Sequence, residues 1–129
     1  MFLKKDTLSY GDASVELYEL SGLQRVEYLE YIQQRTAQYD REAEESTEEE
    51  RRVAFLRMGI DINAWLVSRS LQNGDQTRDT ENASDNIAAL WSYEALGAGA
   101  DMVLSLSGMA PPDPDHEEEG TEADTPEKS

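Results

Sequence analysis

Between Val53 and Leu71 the chain carries apolar residues on two helical stripes at once. Val53, Leu56, Ile60, Val67 and Leu71 form one; Phe55, Met58, Ile62, Trp65 and Leu66 form the other. A helix apolar on two faces has to lie between neighbours, because a single partner would leave one face in water. The segment therefore predicts a central helix with a mainly α fold built around it. Thr47 and Glu50 have capping-box spacing at its start, and Glu48, Glu49 and Glu50 suit the positive end of its dipole. Its stop is expected near Gln72, with Asn73 and Gly74 as a left-handed ending. Arg57 and Asp61, four apart, are expected to pair on the remaining narrow face.

The flanking segments supply the neighbours. Ser21 and Gln24 make a second capping box, with Leu20 placed as the staple before the cap. The helix it opens is expected to run to about Glu42, with Val26, Leu29, Ile32, Thr36 and Tyr39 on its packed face and Tyr31 to the side. Upstream, Phe2-Leu3-Lys4 reads as a short strand and Ser9-Tyr10-Gly11-Asp12 as a turn. Val15 and Leu17 then alternate with Glu16 and Tyr18, as a half-buried strand does. A lone hairpin is marginal in water, so this one has to pack on helices or on another chain's hairpin. Residues 73–84 read as a polar loop. Ser84 and Asp85 cap a short helix carrying Ile87, Leu90 and Trp91; Ser92 caps another, carrying Leu96, Val103 and Leu106 and stopped by Gly108. Gly97 and Gly99 weaken that last helix by about 1 kcal/mol each, unless they permit a close helix contact.

Charge divides the chain in two. Residues 110–129 hold eight acids against only Lys128, a net −7, which leaves −10 of the chain's −17 for the body. The same tail has Pro111, Pro112, Pro114 and Pro126 and no large apolar residue, so it cannot bury enough surface to offset chain entropy. The expected organisation is a helical domain over 1–109 and a disordered acidic tail over 110–129. The expected fold class is mainly α (α+β): a small bundle of three to four helices with an N-terminal β-hairpin. Twenty-eight acids against eleven basic residues argue against a nucleic-acid partner and against an anionic membrane surface. No apolar run approaches the roughly 18 residues of a membrane span. No signal peptide is read, because Lys4 and Lys5 follow the first apolar residues and Asp6 and Ser9 interrupt them.

Residues suited to catalysis are scarce. The chain has no cysteine, which removes disulfides, zinc thiolates and thiol nucleophiles together. Its one histidine, His116, lies in the acidic tail with nothing to hold it as a triad base. Asp75, Asp79 and Glu81 have the alternate spacing of a calcium loop, but Thr80 stands where the turn glycine belongs. The glutamate run 42–50 reads as a solvated helix start. No catalytic, cofactor-binding or metal-binding residue is assigned, and the expectation is a binding protein that is not an enzyme. The aromatics carry more information. Trp65 is expected in the core, whereas Tyr28, Tyr31 and Tyr39 cannot all share one narrow face, so at least one of them meets the surface.

The order of several short motifs resembles a known family. Phe2-Leu3-Lys4, then Leu20-Ser21 with Leu23-Gln24-Arg25, then Ala64-Trp65-Leu66-Val67 and Ser70-Leu71 look like the lambda-type minor tail protein G family of long-tailed phages. So do Trp91 with Glu94-Ala95, and Leu106-Ser107-Gly108-Met109 before an acidic tail. The likeness spans residues 1 to about 109, while the segments 42–50 and 73–84 depart from it. It implies a tail assembly chaperone of the host cytoplasm, absent from the mature virion, that coats the long helical tape measure protein. It also implies a longer form, made by programmed ribosomal frameshifting, that recruits the major tail protein.

A holding chaperone needs apolar surface for its client and charge to keep the coated complex in solution. Tyr31 and Trp91 are the exposed aromatics expected to contact that client. Two other readings compete. An acidic inhibitor that mimics DNA would need its acids fixed on a rigid surface, and much of the charge here lies in the tail. An oligomeric scaffold module would use the hairpin and the two-faced helix to join copies of the chain.

Overall fold

Gly11 takes a φ of +62°, which lets the chain reverse in a two-residue loop between Tyr10 and Ala13. In this computed structural model, which describes residues 2–75 and 83–109, that loop joins β1 (Lys5–Tyr10) to β2 (Ala13–Tyr18) as an antiparallel hairpin. The register sets Leu8 opposite Val15 and Asp6 opposite Leu17. Leu17 is fully buried, and Leu8 and Val15 pack beside it against the helices. The expected strand at Phe2-Leu3-Lys4 is displaced: β1 begins at Lys5, and Phe2 is fully exposed with nothing to pack on. Lys4 is tied to Glu19 beyond the strand end, its carbonyl accepting from the Glu19 N–H at 2.9 Å and its N–H donating to Glu19 Oε1 at 3.1 Å.

Among the described residues four helices follow: α1 (Gly22–Glu44), α2 (Glu48–Gly74), α3 (Ala83–Leu90) and α4 (Tyr93–Leu106). Both capping boxes form as their spacing requires, Ser21 with Gln24 and Thr47 with Glu50. Ser92 caps α4 through the Ala95 N–H. Gly108, at φ +71°, ends α4: the Gly108 N–H donates to the Ser105 carbonyl and Met109 N–H to Leu104. That pair of bonds is the Schellman arrangement, available here because glycine carries no Cβ penalty at positive φ. Leu20 is not a local staple; it is buried in the main core, its N–H donating to Ser107 Oγ at 2.9 Å.

As the two stripes require, α2 is central, packing against α1, α3, α4 and β2. Its buried residues are Ala64 to Ser68, Ser70 and Asn73, so only its C-terminal half is enclosed. It also ends differently from expectation. The helix continues through Gly74 to an extended Asp75, and Gly74 is needed because a Cβ there would strike the Tyr18 ring. Asn73 acts as a strap: its Nδ2 donates to the Glu19 carbonyl and to Gln24 Oε1. Ser70 Oγ accepts the Tyr18 N–H at 2.6 Å. The Tyr18 and Leu20 N–H groups and the Glu19 carbonyl at the end of the hairpin are thus satisfied by side chains of α2 and of Ser107, the C-cap of α4.

The packed face of α1 is rotated from the expected one. Tyr28 and Arg35 are its buried residues; of the five expected there, Ile32 and Tyr39 are half-buried, whereas Val26, Leu29 and Thr36 face outward. Trp65 sets this orientation. It offers one large surface on α2, and both Tyr28 and Tyr31 lie against it, at 5.9 and 5.6 Å between ring centroids. Asp61 pairs across this seam with Arg35 rather than with Arg57. Residues 76–82 and 110–129 lie outside the described region, and with them fall the acidic tail, most of the polar loop, Asp79, Glu81 and His116.

Candidate partner interface

What stands out on this surface is apolar area rather than reactive groups. Val53, Phe55 and Leu56 of α2, Leu23, Val26 and Leu29 of α1, and Leu90 and Tyr93 at the α3–α4 step are all exposed. Scattered apolar residues are ordinary, but contiguous ones mark a place where something docks.

Three of them line grooves, Leu90 in one and Val53 and Leu56 in another. The first lies between the hairpin and the α3–α4 step. Leu8, Tyr10, Val15, Leu90, Trp91 and Ala95 line its space of ≈ 370 Å³. Local chemistry builds it. Ser92 caps α4 and so fixes the step after α3, which leaves Leu90 82% exposed beside Trp91. Tyr10 Oη donates to Glu94 Oε1 at 2.8 Å, pinning the hairpin tip to the start of α4. A second groove of ≈ 450 Å³ runs along α2, with Val53, Leu56 and Ile60 on one side and Ala88 and Ala89 of α3 on the other. Arg57, Asp61 and Asp85 stand on its margin.

The two aromatics singled out from the sequence fall in different places. Trp91 is half-buried, in the first groove, packed on the core beside Gly99. Tyr31 is half-buried in the α1–α2 seam, its ring stacked on Trp65 with 14° between the planes. On Trp65, Arg69 adds a guanidinium 4.5 Å from the ring centroid. Burial, and then the Asp61 carboxylate, push the Tyr31 phenol above its ordinary value, so it stays neutral and acts as a packing group. The two residues do not form one site.

Sequence reasoning missed the exposed stripes of α1 and of the first half of α2. For α1 a signal existed: the face of Val26 and Leu29 turns polar one turn later, at Gln33, Thr36 and Asp40. For α2 no periodicity tells a covered stripe from a bare one. Among the described residues no group of three His, Asp or Glu side chains is placed to hold a metal ion, and no helix is long and apolar enough to cross a membrane.

Known proteins supply the context for this surface. No solved structure matches the chain. Tail assembly protein G of Escherichia phage N15 is 33% identical over 121 residues, covering 87% of this chain and 80% of that protein. Tail assembly protein G of Escherichia phage lambda is 28% identical over 117 residues, covering 84% and 79%. The same part of this chain matches tail assembly protein GT of phage N15, there spanning 45% of the longer protein. With residues 1–127 matching the family described as bacteriophage lambda tail assembly chaperone, TAC, protein G, the chain belongs to that family.

Proposed function

We propose that this chain holds the tape measure protein in solution while the phage tail assembles in the host cytoplasm, and is absent from the finished virion. The observation that carries this reading is the pairing of bare apolar helix faces with a net charge of −17. Apolar surface covers segments of a client that would otherwise aggregate, and net charge keeps the coated complexes apart. The role is holding rather than catalysis. Trp91, with its exposed neighbour Leu90, is the client contact at the first groove. Tyr31, half-buried and stacked on Trp65 in the α1–α2 seam, contributes through the part of its side chain left exposed. A longer form with a second domain, of the kind that spans the rest of protein GT, recruits the major tail protein.

Co-expression with the tape measure protein of the same genome, followed by pull-down from the soluble fraction, tests this. The expected result is a soluble complex that is lost without this chain. A tape measure protein equally soluble alone, or one that does not co-purify, would remove the reading. Leu90→Ser together with Trp91→Ser should reduce the soluble yield, with circular dichroism checking that the helices persist.

A further inference from the structure

Val53, Leu56, Ile60, Val67 and Leu71 lie on one stripe of α2, yet their surroundings change along it. Val67 is fully buried, Leu56 is 49% exposed and Val53 is 68% exposed. The apolar pattern thus runs past the end of the fold. Where α3 and α4 cover the stripe it forms core; beyond α3 the same spacing faces open space. Ala88 and Ala89 wall that space on one side, and such small side chains let another backbone come close.

Charge decides what fits there. Beyond Val53 the groove continues over Ala54 between Glu42, Glu49 and Glu50, and Asp85 stands at its other end. Among the described residues, Arg57 is the one cation on its lining. Two of the nearby cations are engaged locally: Arg52 pairs with Glu48, and Arg51 Nη1 donates to the Ser46 carbonyl. Residues 40–52 hold seven acids against three arginines. A second copy docking on this groove would set acids against acids, which opposes association.

We infer that the groove along Val53, Leu56 and Ile60 binds an amphipathic helix whose apolar stripe is flanked by lysine or arginine. Its apolar side chains continue the α2 stripe in helix-in-groove fashion. Its cations meet Glu42, Glu49, Glu50 and Asp85. This rests on the reading of the chain as the holder of a helical client, and it names the segment type the chain selects.

The test uses the full chain and two fluorescent synthetic helices with the same leucine stripe, one flanked by lysine and one by glutamate. Anisotropy should show the lysine peptide binding, with affinity falling as salt rises. Leu56→Asp and Glu49→Lys should each weaken it by about tenfold or more. Leu23→Asp, on the outer face of α1, should leave it unchanged. Equal binding of both peptides, or undiminished binding by both groove variants, overturns the inference. So does a wild-type dimer in sedimentation that Leu56→Asp converts to monomer, since a second copy would then be the occupant. Circular dichroism checks the fold of each variant; should Leu56→Asp unfold, the surface change Glu49→Lys decides. The two readings fail separately. Tape measure protein captured equally well by wild type and by both groove variants sinks the groove and leaves the function. Lysine-peptide binding at the groove without tape measure capture sustains the groove and sinks the function.

Discussion

Arg35 reaches from α1 to Asp61 of α2 with two nitrogens, Nε at 3.1 Å and Nη2 at 2.9 Å, both on the same Oδ2. Arg35 is buried, and its Nη1 has no hydrogen-bond partner among the described residues. The pair therefore fixes how the two helices align more than it stabilises them, because desolvating the guanidinium offsets most of the attraction. Asp61→Asn would strand a buried cation. We expect it to cost about 2 to 3 kcal/mol in urea unfolding, less than a fully buried pair because the Asp61 side chain is 31% exposed. Arg35→Met with Asp61→Leu should recover most of that loss.

The two glycines of α4 should respond in opposite directions. At Gly97 a Cβ would meet nothing within 4 Å, so Gly97→Ala should stabilise by about 0.5 to 1 kcal/mol through the unfolded chain's lost freedom. At Gly99 a Cβ would lie 3.1 Å from Val67 Cγ2 and 3.2 Å from Trp91 Cζ3. Gly99→Ala should therefore destabilise by about 1 to 3 kcal/mol and disturb the Trp91 side of the first groove. Thermal melts of the two variants measure both signs.

Much of this contrast follows from what periodicity can and cannot carry. Cap chemistry is local, so Ser21 with Gln24 and Thr47 with Glu50 were readable without any tertiary information. The centrality of α2 was readable because two apolar stripes need two neighbours. The orientation of α1 was not. It turns on Trp65, a residue of another helix, and on Arg35, whose long apolar stem lets a charged residue sit in a seam. Gly74 reads as a helix stop by residue type, yet it is there to clear the Tyr18 ring. The groove residues were visible as a stripe. Their exposure depends on where α3 crosses, and the sequence between α2 and α3 encodes that in no pattern.

Tyrosine titration gives a pH signature of the seam. Burial raises the phenols of Tyr28 and Tyr31 above their ordinary value of 10.0. A folded-state pKa above the unfolded one means stability that is complete below about pH 10 and is lost as pH rises through the folded values. In ultraviolet titration, the Tyr28 and Tyr31 phenols should ionise above the ordinary tyrosine value. Unfolding free energy should fall above about pH 10, and Tyr28→Phe with Tyr31→Phe should flatten that fall.

Burial also predicts where the molecule opens. No residue from Thr36 to Glu44 or from Glu48 to Asn63 is buried, whereas Ala64 to Ser68 lie wholly within the core. The α1–α2 pair is thus anchored at one end and held at the other by edge contacts such as Tyr39 on Phe55, 5.8 Å between centroids. Local opening follows buried contact, so amides of residues 48–58 should exchange with deuterium at least about tenfold faster than those of 64–71. Phe55→Ala should widen the gap by removing the edge contact. A helical partner seated on Val53 and Leu56 should narrow it, because it supplies the cover that α3 gives the rest of the stripe. Uniform protection along α2 would mean that the far half is stabilised by something other than burial, and the groove would then be a rigid surface instead of one that a partner completes.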